Sequence, residues 1–120
     1  MMAYGMARDS DTRLFEMQAD ACLALANPKR LQILNLLKDG EMSVARMTEK
    51  MGINKANLSQ HLSILRQKNI LETRRQGTTI YYRISNPKIT EACMIMRGVL
   101  IEMLKEKVKL SKRLREVKLH

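Results

Sequence analysis

The chain has 120 residues, room for one compact domain, with 45% apolar residues but one Phe, three Tyr and no Trp, so its core must be aliphatic and rich in Met. No apolar run approaches the ~18–20 residues that a membrane-spanning helix needs, which argues against an integral membrane protein. The net charge of +10, from 22 basic and 12 acidic residues, suits a polyanionic partner such as DNA, RNA or an anionic membrane surface.

From the N-terminus, Met1 to Asp11 lacks the apolar stretch of a signal peptide, so a cytoplasmic protein with a flexible segment over residues 1–10 is expected. Ser10 or Asp11 can cap a first helix running to about Leu25. Asn27-Pro28 then reads as the N-cap and first residue of a second helix. Its apolar positions Leu31, Ile33, Leu34, Leu36 and Leu37 are nearly continuous, which predicts a mostly buried helix, ended by Asp39-Gly40.

Ser43 caps a short third helix, about Val44 to Met51, and Gly52 sits just past its end. Asn54 caps a fourth, about Lys55 to Lys68, which Asn69 can close. Leu58, Leu62 and Leu65 recur at four and three, giving one buried stripe. The period then changes to two. Leu71 to Arg75 and Thr79 to Ile84 are rich in β-formers around Gln76-Gly77-Thr78, a hairpin signal. Asn86-Pro87 opens a last helix from about Lys88 to beyond Val108. Its stripe of Ile89, Cys93, Met96, Leu100 and Met103 has coiled-coil spacing, suited to pairing with another helix. The end of the chain is basic: Lys105 to His120 holds seven Lys or Arg against two Glu, so a helical tail that frays over about 109–120 is expected.

Two short helices joined at Gly52-Ile53 form a helix-turn-helix pattern. Val44, Met47 and Met51 can face Leu58, Leu62 and Leu65. Ala56, Gln60, Ser63 and Gln67 then lie opposite that stripe, flanked by Asn57 and Ser59, with Lys55 in the first turn. Such a face suits a major groove: Asn and Gln pair with adenine edges, Lys with guanine, and small residues allow close approach. Arg74-Arg75 beside a tight tip turns the hairpin into a wing whose cations can reach phosphate or the minor groove. The predicted fold class is therefore mainly α with a β-hairpin wing: a single winged helix-turn-helix domain over residues 1–120.

Three stretches carry a family resemblance. Leu25-Ala-Asn-Pro-Lys-Arg-Leu-Gln-Ile-Leu34, Ser59-Gln-His-Leu62 and Gln76-Gly-Thr-Thr-Ile-Tyr-Tyr82 closely resemble, in order, motifs of the ArsR-type (ArsR/SmtB) repressors. The resemblance runs from about Phe15 to Leu104. It implies a homodimer paired through the first and last helices, bound to an inverted-repeat operator in double-stranded DNA and released by an inducer, often a metal ion. It also implies DNA contacts from Lys55, Asn57, Ser59 and Gln60, with wing contacts from Arg75 and Thr78. His61 admits either a packing role or a DNA contact.

The chain departs from the metal sensors it resembles. Where many carry a Cys-Val-Cys at the third helix, it has Ser43-Val44-Ala45, and Ile89 to Lys107 contains no His. Both common metal sites of that family are therefore missing, zinc or arsenic sensing is not expected, and no cofactor is expected. Cys22 and Cys93 remain, on the two helices that the resemblance places at the dimer interface. They are small core residues, or a thiol pair responding to oxidant or persulfide, or part of a soft-metal site with Met96. A winged module binding RNA or protein is the other class of function. No nucleophile–base pair, paired carboxylates or phosphate-binding Gly loop suggests an enzyme.

Overall fold

The computed structural model describes the backbone of residues 2–119 and the side chains of residues 10–117. In chain order the elements are α1 (Met2–Leu25), α2 (Pro28–Leu37), β1 (Met42–Ser43), α3 (Val44–Met51), α4 (Lys55–Gln67), β2 (Leu71–Gln76), β3 (Thr79–Ile84) and α5 (Pro87–Leu119). They fall into two units, Met1–Asn86 and Pro87–His120.

Within the first unit, local chemistry sets most helix ends. Asn27, in extended conformation, accepts from the backbone N–H of Lys29 (2.9 Å) and Arg30 (3.2 Å), and Pro28 follows at N1, where its missing N–H costs nothing. Ser43 caps α3 by accepting from Arg46 N at 3.2 Å. Gly52 ends α3 in the left-handed region at φ 66°, which a side chain would strain. The end of α4 is a Schellman motif built on Asn69 rather than Gly. Asn69 adopts φ 58°, its N–H bonds Arg66 O, and Ile70 N–H bonds Leu65 O, both at 3.0 Å. Leu65 and Ile70, the apolar pair that accompanies this motif, are both buried.

The core is aliphatic. Ile33, Leu34 and Leu37 of α2, Met47 of α3, Leu58, Leu62 and Leu65 of α4, and Ile70 and Leu71 at the entry to the wing are all buried, joined by Ala24 of α1. No buried polar side chain accompanies them among the described residues. The expectation for α2 needs one correction. Leu31 is 44% exposed, because a near-continuous apolar run on a 10-residue helix of 3.6 residues per turn cannot all face one core.

The hairpin register is Leu71↔Ile84 to Gln76↔Thr79, leaving Gly77 and Thr78 as the loop. Gly77 has φ 62°, the glycine-first pattern of a II′ hairpin turn. At its base, Ser85 N–H and Oγ bond Ile70 O (both 3.0 Å), and Oγ also donates to Asn69 O (2.6 Å). The sheet has a third strand that sequence periodicity did not disclose. β1 pairs antiparallel with β3 through Met42↔Tyr82 and Ser43↔Tyr81, giving the order β1-β3-β2. Two residues are too short to show an alternation.

Two expectations at the chain ends also change. Helix α1 continues N-terminally through Ser10 and Asp11 to Met2, so neither residue is its cap. Met, Ala and Arg in this stretch are good helix formers. The flexibility expected over residues 1–10 falls almost wholly on positions outside the described side chains. The second unit, α5, is one helix of 33 residues, including the basic segment expected to fray. Its stripe continues beyond Met103 at the same spacing, through Lys107 to Leu110, Leu114 and Val117, with these apolar members exposed. No helix among the described residues is long and apolar enough to cross a membrane.

Candidate nucleic-acid interface

Helix α4 turns Leu58, Leu62 and Leu65 inward, and Met47 of α3 is buried with them while Val44 and Met51 are half-buried. The geometry of one helix then fixes what faces out. Lys55, Ala56, Ser59, Gln60, Ser63 and Gln67 are exposed, and Asn57 is half-buried at the edge of the stripe. At the start of α4, Asn54 Oδ1 accepts from Asn57 N at 2.7 Å. That cap leaves the N–H groups of Lys55 and Ala56 without an intrahelical partner, as donors for an anion at the helix N-terminus. The outward surface is thus one cation, a row of amide and hydroxyl groups, and small side chains that permit close approach.

The wing carries three arginines, and the structure separates their roles. Arg74 is engaged within the protein. Its guanidinium bonds Glu41 through Nε (3.1 Å) and Nη2 (2.5 Å), gives Nη1 to Gln76 (2.9 Å), and lies 4.5 Å over the Tyr81 ring. It therefore clasps all three strands, from β2 across β3 to the residue before β1. The Arg74 hydrogen bond holds the Glu41 carboxyl below the usual carboxylate range. Arg83 pairs with Glu72 at 2.9 Å. Arg75 is exposed and has no ion-pair partner among the described residues. By strand alternation it projects from the sheet face that carries buried Leu71, opposite Arg74 and Gln76. Thr78 lies exposed at the tip.

The sequence had suggested two free cations at the tip; one of them is structural. Nothing local could reveal this, because the Glu41–Arg74 contact spans 33 positions. His61, left open between packing and DNA contact, is half-buried, and its Nδ1 lies 3.4 Å from Arg30 Nη1. That contact joins it to α2.

Cys22 is exposed on α1 and Cys93 half-buried on α5, and neither forms a disulfide. Cys22 is thus not a core residue of the single chain. Among the described residues, no group of three or more His, Cys, Asp or Glu side chains is placed to hold a metal ion.

Comparison with known proteins places this geometry. Residues 27–73 match the model of the family described as bacterial regulatory protein, arsR family. The HTH-type transcriptional regulator Rv0081 of Mycobacterium tuberculosis is 34% identical over 79% of this chain and 84% of its own length. The chain belongs to the arsR family.

Its fold is shared with solved ArsR-type relatives. The crystal structure of Rv0081 superposes with a TM-score of 0.72, over 79% of this chain and 96% of that one. The homodimeric winged helix-turn-helix DNA-binding domain of Mb0332 from Mycobacterium bovis gives a TM-score of 0.75 at 35% identity, over 82% and 91% of the two chains. The nodulation protein NolR of Rhizobium meliloti is 46% identical over 62% of this chain, and the match spans 61% of NolR. This ArsR-family chain is accordingly a winged helix-turn-helix protein that regulates transcription through DNA binding, and not an enzyme. Its recognition helix in the helix-turn-helix sense is α4, the second helix of the pair.

Proposed function

We propose that the protein is a homodimeric, sequence-specific repressor that reads an inverted-repeat operator with α4 and grips the backbone with its wing, and that an inducer releases it. The observation that carries this is the division of labour on one surface. Ser59 and Gln60 are exposed on α4 beside small Ala56 and Ser63, whereas Arg75 is the wing arginine with no ion-pair partner among the described residues. Gln60 supplies a bidentate amide for adenine, Lys55 and Ser59 contact bases or phosphate near the helix start, and Asn57 sits at the margin. Arg75 and Thr78 contact backbone, which positions the protein without reading sequence.

A two-fold dimer places two α4 helices in successive major grooves, so two protected half-sites one helical turn apart are expected in a footprint. In this arrangement α5 works with the first unit as one domain, and the exposed apolar stripe of α5 supplies the pairing surface together with α1. Binding that survives scrambling of the operator sequence, as for a general RNA- or DNA-binding module, would contradict the assignment.

The inducer is proposed to act on sulfur. What supports this is the pair of thiols, Cys22 exposed on α1 and Cys93 on α5, with Ser43 and Ala45 standing where many metal sensors carry thiolates. Oxidation by a two-electron acceptor such as a peroxide would join the two sulfurs, releasing two protons while the peroxide is reduced to water. A direct bond needs the Cα atoms within about 7 Å, and a trisulfide bridge tolerates more. The trisulfide forms when a persulfide passes its outer sulfur to one thiol, leaving as a thiol, and peroxide then oxidises that new persulfide with the second thiol while being reduced to water. A differential affinity of about 1–3 kcal/mol between thiol states suffices for a switch. The Cys22→Ser, Cys93→Ser double variant is expected to bind operator but to lose release by oxidant or persulfide. An identical response of the double variant and the parent protein would remove the sulfur mechanism.

A further inference from the structure

Helix α1 is tied to the recognition helix at two points a turn apart. Asp20 Oδ2 accepts from Lys68 Nζ at 2.7 Å, at the C-terminal end of α4. Further along α1, the carbonyl of Ala24 accepts from Arg30 Nε. Arg30 is in the first turn of α2, its own backbone N–H held by the Asn27 cap at 3.2 Å. The same guanidinium reaches across to Nδ1 of His61 at 3.4 Å. A guanidinium has donors only. Nδ1 must therefore accept, which requires a neutral imidazole with its proton on Nε2. In sequence His61 stands between exposed Gln60 and buried Leu62, at the seam between the proposed reading face and the core.

We propose that Arg30 and His61 form a latch that positions α4 against the last turn of α1, closed while His61 is neutral and opened when it is protonated. The function assigned to Arg30 is positioning: it touches no base and acts through His61. The charges acting on the ring are Arg30 and Lys29, both from the start of α2 and both positive. The carboxylate of α1 nearest in sequence to this turn, Asp20, is engaged by Lys68.

Burial first, then these two cations, hold the His61 pKa below the ordinary histidine value. The sign follows. The latch is fully present above the ordinary imidazole range and is lost as pH falls through the lowered pKa, when an imidazolium would face two cations with no acceptor to offer. The two ties straddle Cys22, so a change of α1 at that turn would also reach α4. The functional consequence rests on the assignment of α4 as the base reader.

The chain has only two histidines, which makes the test direct. In full-length protein carrying His120→Gln, the ratio of affinities for operator and scrambled duplex is measured between about pH 5 and 8. The parent ratio is expected to fall on acidification by roughly fivefold or more, the lower end of ordinary coupling between linked sites. His61→Gln is expected to give a flat profile, because its amide oxygen accepts from Arg30 at any pH. Arg30→Met should lower the ratio at every pH. An NMR titration of His61 in DNA-free protein reads the latch without an operator: its midpoint should lie below the ordinary histidine value and rise in Arg30→Met.

Matching pH profiles for parent and His61→Gln, or a His61 midpoint unmoved by Arg30→Met, would overturn the latch. A parent protein with no sequence preference even at pH 8 would count against α4 as the reader, and the NMR midpoint would still decide the latch.

Discussion

Raising salt from 50 to 200 mM is expected to weaken operator binding by about 10³–10⁵-fold, as for a protein that neutralises roughly 6–10 phosphates. The net charge of +10 overstates what is available for this. Arg74, Arg83 and Lys68 are committed to Glu41, Glu72 and Asp20. The groups proposed to meet phosphate, Lys55, Arg75 and the unbonded amides at the start of α4, come to about six contacts in the proposed dimer, which sets the lower end of that range. Arg75→Ala should therefore weaken every sequence alike and reduce the slope of log affinity against log salt by about one per lost phosphate contact. Arg74→Ala should act differently. It removes the clasp over Tyr81 and leaves the count of phosphate contacts nearly unchanged, so its salt slope should match the parent's. A salt slope near zero in the parent protein would mean that the basic surface is not used on DNA.

Leu100→Asp is expected to turn a dimer into a monomer and to abolish tight operator binding with it. Leu100 is 51% exposed on the single helix α5, in register with Met96 and Met103, themselves 61% and 55% exposed. A stripe of this kind is costly to leave in water and is the natural surface for a second helix. In a two-fold interface the substitution occurs twice. Each uncompensated charge costs roughly 3–5 kcal/mol when its surroundings are apolar, and each 1.4 kcal/mol is about tenfold in the association constant. Sedimentation should show the parent as a dimer at micromolar concentration and Leu100→Asp as a monomer with unchanged helicity. A monomeric parent would contradict the pairing.

Much of this fold could be read from the sequence because the signals are local. Asn27-Pro28, Ser43, Asn54, Gly52 and Asn69 act within one helical turn of where they stand, and each marks a boundary in the structure. The stripe at Leu58, Leu62 and Leu65 fixes the outer face of α4 by helix geometry alone, so the exposure of Lys55, Ser59 and Gln60 followed from it.

What escaped was set by contacts distant in sequence or too short to have a period. Strand β1 has two residues. The Glu41–Arg74 clasp and the Arg30–His61 contact each join elements more than 30 positions apart, and no pattern in either segment announces its partner. Arg74 and Arg75 are chemically identical neighbours, yet strand alternation sends them to opposite faces with opposite fates. Leu31 shows the converse limit: an apolar residue in an apolar run that the helix turns outward.

The assignment of α4 as the reader of sequence is tested most directly by selecting preferred duplexes from a random pool with parent protein and with Gln60→Ala. Gln60 is exposed on the outer face and lies next to, not within, the buried stripe, so its truncation should leave folding intact. The preference should relax at one base pair in each half-site, with a loss of about 1–3 kcal/mol on the parent operator, and persist at the others. A Gln60→Ala profile indistinguishable from the parent's, from protein of unchanged stability, would show that the base-reading residue lies elsewhere.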